Sequence, residues 1–103
     1  MIYTVLVTPT AAMAILEIAD YIATDSPARA EIWQKGLEVA INSLSRMRRR
    51  FGVAPESRTL RTQLRHIPHG EYRVIDRIRG HTVEVLTVRH AARKPWPGRR
   101  DDR

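Results

Sequence analysis

Cysteine is absent from the 103 residues. That excludes a disulfide framework, a thiol nucleophile and a cysteine-ligated zinc site, and it suits a reducing cytosol. No apolar run approaches the length of a membrane span. The opening Met1-Ile2-Tyr3-Thr4-Val5 lacks the charged start and apolar stretch of a secretion signal. Lysine is scarce, since Lys35 and Lys94 are the only two among 18 cations and the rest are arginine. Acids are scarce in one half only. Residues 1–45 hold five acids against two cations, a net of −3, whereas residues 46–103 hold six acids against sixteen cations, a net of +10. The arginine fork favours oxyanions, so this excess points to RNA, DNA or an acidic protein segment.

What is present is enough for one folded domain. The length leaves no room for a second core, and a hydrophobic content of 43% can fill the first. Ile2–Val7 alternates β-formers and predicts a strand with Tyr3, Val5 and Val7 on one face. Thr8-Pro9 supplies a helix N-cap and a first-turn proline, and Ala12, Ile15, Ala19 and Ile22 then recur at helical spacing to about Ala23. Ser26-Pro27 repeats the start signal for a second helix. Its stripe is Ala30, Trp33, Leu37, Ile41, Leu44 and Met47, and Gly52 is its stop after the basic run Arg46–Arg50. Gly36 is a blemish in that helix. The short link between the two helices predicts an antiparallel hairpin.

Residues 52–62 lack a period and read as a loop. Gln63–Ile67 is a possible strand, Pro68-His69-Gly70 a turn, and Glu71–Arg79 a strand with Tyr72, Val74 and Ile78 on one face. Arg73, Ile75, Arg77 and Arg79 take the other face. Gly80 marks a tight turn before the last strand, Thr82–Val88. The expected class is α+β in the order β-α-α-β-β-β. A helical hairpin packs on one face of a small antiparallel sheet, and the other face is partly open. Residues 1–93 form the domain, and the basic tail 94–103 is expected to fray.

Several strings along this order resemble the RelE/ParE family, the toxin halves of bacterial type II toxin–antitoxin pairs. They are Ile18-Ala19-Asp20-Tyr21-Ile22-Ala23, then Asp25-Ser26-Pro27 with Ala30, then Tyr72-Arg73-Val74, and finally Val88-Arg89-His90 with Arg93. The resemblance implies a two-helix, four-strand fold resembling microbial ribonucleases. It also implies a labile cognate antitoxin that neutralises the protein, with higher-order toxin–antitoxin assembly, and no cofactor or metal. Two targets are implied within the family: RelE-like and YoeB-like members cut mRNA in the ribosomal A site, and ParE-like members inhibit DNA gyrase.

The residues offer material for both. A metal-free nuclease needs a base for the 2′-OH, a cation at the scissile phosphate and an acid for the leaving oxygen. Arg73 matches the family's phosphate-binding arginine; the plainer alternative is a solvated cation on an exposed strand face or an ion-pair partner of Glu84. His90 matches the YoeB-like acid–base histidine, Glu56 resembles that subgroup's general base, and Arg89 is placed to add charge stabilisation. Against the nuclease, His90 is followed by Ala91 and Ala92, and no tyrosine follows Tyr72; Trp96 is the remaining stacking candidate. Arg73, Arg77, Arg79, Arg89 and Arg93 form the expected surface for nucleic acid or for an acidic antitoxin segment. Asp76 in an apolar strand should pair with an arginine or mark the sheet edge. His66 and His69, flanking Ile67-Pro68 without a third ligand, do not make a metal site.

Overall fold

Each helix begins where its cap begins. In the computed structural model, which describes residues 2–46, 54–57, 63–94 and 96–98, α1 spans Pro9–Asp25 and α2 spans Pro27–Ser43. The Thr8 hydroxyl accepts the Ala11 amide and the Ser26 hydroxyl accepts the Arg29 amide, at 3.2 Å each. Thr8 has a second task. Its hydroxyl donates to the Val85 carbonyl at 2.8 Å, and its amide donates to the same carbonyl at 3.0 Å, so the cap also rivets α1 to the sheet. The stripe of α1 lies one residue earlier than expected at its start. Ala11 is fully buried while Ala12 is exposed. After α2 the chain tightens into a 3-10 turn, Leu44–Arg46, with Leu44 buried. Met47, Gly52 and most of the basic run lie outside the described residues.

The strands are β1 (Thr4–Val7), β2 (Arg65–His69), β3 (Tyr72–Arg79) and β4 (Thr82–His90), in the sheet order β1-β4-β3-β2. The expected antiparallel sheet is a mixed one: β1 runs parallel to β4, with Thr4 opposite Thr82 and Val7 opposite Val85. Alternating side chains identify a strand, but they carry no information about the direction of a neighbour so distant in sequence. The expected turn at Pro68-His69-Gly70 also shifts. β2 continues through Pro68 and His69, which pair with Arg73 and Tyr72, and the turn is Gly70-Glu71. Pro68 is tolerated because β2 is an edge strand whose outer side needs no donor. Gly70 and Gly80 both take φ near 58°, the left-handed conformation that two-residue hairpins require.

The helices cover one sheet face, where Leu37, Ile41, Val74, Val83, Val85 and Val88 form the main core. The other face is not open. Ala54, Leu64, Ile75 and Trp96 form a second buried cluster there, with Leu86 against it. Within the tail expected to fray from Lys94, Trp96 is buried, only 9% exposed. The pairing of β3 with β4 breaks register between Ile75 and Asp76, which leaves Leu86 as an extra residue in β4 and turns it toward this second cluster.

Candidate functional site

The outer sheet face carries the candidate site. Residues Ala54–Ser57 form a single turn, closed by the Ser57 amide on the Ala54 carbonyl at 3.0 Å. The Ser57 hydroxyl accepts the Leu64 amide at 2.8 Å and donates to the Leu64 carbonyl at 3.1 Å. This tie carries Glu56 over the sheet and buries it completely. There Arg73 meets it fork to fork: Nη1 donates to Oε1 at 2.9 Å and Nη2 donates to Oε2. The Trp96 amide donates to the same Oε2 at 2.6 Å. His66 Nδ1 lies 3.4 Å from Arg73 Nη1 on the same face. Burial alone would push the Glu56 carboxyl up, but the hydrogen bonds from Arg73 and Trp96 outweigh it and hold the group at about 2.

Arg89 stands opposite Arg73 in the β3–β4 register and shares its face. Its Nε is buried and has no hydrogen-bond partner. Burial, then the charges of Arg93 and Arg73, push its guanidinium below the usual arginine range. Of the other three expected cations, Arg93 is exposed and two are engaged elsewhere. Arg77 Nε donates to Glu84 at 2.6 Å, and Arg79 lies 3.9 Å from the same carboxylate. Glu84 therefore belongs to Arg77, and the partner of Arg73 is Glu56.

His90 does not join this group. It pairs in register with Tyr72 on the helix side, with ring centroids 5.3 Å apart, and its Nδ1 accepts the Ala92 amide at 3.0 Å. Tyr72 in turn contacts Trp33 at 5.4 Å, and Trp33 contacts His69 at 6.2 Å. An aromatic rim thus runs along the end of the sheet under the hairpin. Tyr72 is pushed up by burial and by Tyr21 and Glu71 nearby. Strand alternation separates His66 from His69 as well, placing His69 against Gly36 and the Trp33 carbonyl.

Asp76 answers to Arg65, which sequence reasoning did not single out. Arg65 Nε and Nη2 donate to its two oxygens at 2.9 and 3.0 Å, and the carboxylate is fully buried. Burial outweighs Arg65 and pushes the Asp76 carboxyl up. The signal was the odd carboxylate itself; the partner's identity depended on the β2 register, which puts Arg65 opposite Asp76.

Two clefts flank Tyr72. One, of about 720 Å³, lies at the hairpin tip between Tyr21, Arg29, Trp33 and Gly70. The other, of about 550 Å³, lies between α1 and the end of β4, with Ile18, Val88, Arg89, Arg93 and Trp96 on its walls. Chemically, the outer face is a saturated carboxylate–guanidinium pair beside Arg89, which has no ion pair among the described residues.

The fold is thus a helical hairpin on a four-stranded mixed sheet, with Arg73 and Arg89 side by side on its outer face. The sequence model for the ParE toxin of the type II toxin–antitoxin system parDE matches residues 5–95, and the chain belongs to that family. Among solved structures it is similar to a chain of the chromosomal ParDE toxin–antitoxin system from P. aeruginosa. The TM-score is 0.68 at 16% identity, over 86% of this chain and 96% of that one. No curated protein matches the sequence. The protein is thus the toxin half of a type II toxin–antitoxin module, a class whose members are held by a cognate antitoxin.

Proposed function

We propose that this toxin arrests growth by binding and inhibiting DNA gyrase, without cutting RNA. The observation that carries the reading is the state of Glu56. A general base for the 2′-OH works best with a pKa near the working pH, and a carboxylate held at about 2 by Arg73 and the Trp96 amide is a poor one. The same contacts fill the Arg73 fork, the group that would hold a scissile phosphate. His90 faces the helices and lies on the opposite side of the sheet from Glu56, which supports the same conclusion. What remains is a binding surface.

The alternative is a ribosome-dependent mRNA endonuclease, favoured by the meeting of Glu56 and Arg73 in one place. Two assays separate the readings. Purified protein is expected to inhibit gyrase supercoiling of relaxed plasmid and to leave mRNA on programmed ribosomes intact. Cleavage lost in Arg73→Ala and His90→Ala, with supercoiling untouched, would reverse the assignment. Co-production with the cognate antitoxin, an acidic-segment partner on this reading, should restore growth in either case.

A further inference from the structure

β1 lies at one edge of the sheet, and much of its outer side is bare. The Thr4 amide donates to the His81 carbonyl at 2.8 Å and the Thr8 amide to the Val85 carbonyl at 3.0 Å, both toward β4. Alternation along a strand therefore turns the backbone groups of Tyr3, Val5 and Val7 away from β4. The Tyr3 amide is taken by the Ser45 carbonyl of the 3-10 turn at 2.7 Å. The amides and carbonyls of Val5 and Val7 have no hydrogen-bond partner among the described residues.

The two edges of the sheet are not alike. β2, at the other edge, carries Arg65, His66, Pro68 and His69, and charge and proline are what keep an edge strand from pairing. From Ile2 to Thr8 there is neither charge nor proline. Val5 packs on the core, and on the opposite face of the strand Ile2 and Leu6 are 72% and 49% exposed. An edge that is uncharged, apolar on its free face and unpaired in its backbone is a template for another strand.

The free groups also fit one partner in one register. In an antiparallel pair about a two-fold axis, both strands lend the same residues. With Leu6 on the axis, Val5 of each copy stands opposite Val7 of the other as a hydrogen-bonded pair, and every free group of both strands is used. With Val5 on the axis the Tyr3 amide would be needed, and Ser45 already holds it. No like charges oppose each other, because the strand has none. We propose that β1 pairs with β1 of a second copy of this chain, antiparallel and with Leu6 on the two-fold axis. The sheet then runs continuously through both copies, with both helical hairpins on one side and both Arg73–Arg89 faces on the other. The inference rests on the strand edge and not on the target proposed above.

The chain has no cysteine, so a single introduced one reports on its own symmetry mate. In the proposed register the two Leu6 Cα atoms stand about 4.5 Å apart, within disulfide reach. Thr4 is exposed on the same face of the same strand, but it faces Thr8 of the other copy and lies roughly 14 Å from its own mate. Under air oxidation of the full chain, Leu6→Cys is expected to form a disulfide-linked dimer at least about tenfold faster than Thr4→Cys. Sedimentation velocity should show the unaltered chain self-associating with a dissociation constant of about 100 μM or tighter. Leu6→Lys places two like charges on the axis and should weaken association at least about tenfold. Val39→Lys, the same kind of change at a 71% exposed position on α2, should have less than about a twofold effect. Should Leu6→Lys fail to fold by circular dichroism, the two cysteine variants decide. Equal cross-linking of those variants overturns the proposal, as does an equal effect of the two lysine substitutions. A chain that stays monomeric to about 500 μM also overturns it and leaves this edge to a strand of another protein.

Discussion

At the scale of single residues, Glu56 is the most committed group in the molecule. It is buried, it takes three donors, and its pKa falls to about 2 from an ordinary 4.5. A carboxyl with a depressed folded pKa contributes stability that is fully present above the unfolded value and is lost as pH falls toward the folded one. The contribution, about 3 kcal/mol, should thus disappear between about pH 4.5 and pH 2. Glu56→Gln should lower stability by about 3 kcal/mol at pH 7, because it strands Arg73 as a buried unpaired cation. Its stability should also decline less steeply below pH 4.5 than that of the unaltered chain. Urea midpoints from pH 7 to pH 2.5 measure both. Equal acid limbs would show that the pair is not formed as described. Asp76 has the opposite sign. Its raised carboxyl favours the protonated folded form, so its contribution declines as pH rises through 3.8 toward the folded value.

Much at this scale was legible as residue type and little as residue geometry. Glu56 and Arg73 stood out as an acid and a cation with possible chemistry, and the fold brings them together. Their distances could not be read, because Glu56 belongs to a turn without periodicity whose place depends on Ser57 and Leu64. His90 stood out for the same reason, yet strand parity alone turns it away from Arg73. Parity was readable only with the register of β3 against β4, which Leu86 interrupts.

At the scale of elements, the caps were the clearest text. Thr8-Pro9 and Ser26-Pro27 start helices where the sequence places them, because a side-chain acceptor followed by proline satisfies the first turn locally. The two caps are not equivalent in energy. Ser26→Ala should cost about 1 kcal/mol. Thr8→Ala should cost about 2 kcal/mol, since it also removes the half-buried donor that ties α1 to Val85. Equal costs in chemical denaturation would mean that the Val85 contact adds nothing.

Gly36 gives the element scale its sharper test. Alanine in a helix interior is favoured over glycine by about 1 kcal/mol. Yet a Cβ at Gly36 would stand 3.2 Å from His69 Cε1, tighter than ordinary contact. Gly36→Ala alone should therefore gain nothing, and in the His69→Ala background it should stabilise by about 1 kcal/mol. A gain of the same size in both backgrounds would show that His69 yields freely. The blemish in the helical pattern marks where α2 meets β2, a contact invisible until the strand was known to extend through His69.

At the scale of the whole molecule, the sheet is packed on both faces, and that changes what the basic half is for. The charge split places acids on the hairpin and cations on the strands and tail. It could not reveal that Trp96 returns to cover the outer face. Tryptophan between two prolines gives no periodic signal, and its burial depends on the groove left by Ala54, Leu64 and Ile75. Trp96 is held there by two different forces, apolar burial of the indole and a charge-assisted hydrogen bond from its amide to Glu56. These should be coupled. Trp96→Ala should cost about 3 kcal/mol through lost burial, and by freeing the tail it should also weaken the amide's grip on Glu56. In a Glu56→Gln background that second loss is already partly incurred, so the two substitutions together should cost less than their sum by about 1 kcal/mol. The coupling is measured by a double-mutant cycle in urea, with trypsin cleavage in the arginine-rich tail as a second readout. Strict additivity would mean that the indole holds the tail alone, and that Glu56 serves Arg73 whether or not the tail is in place.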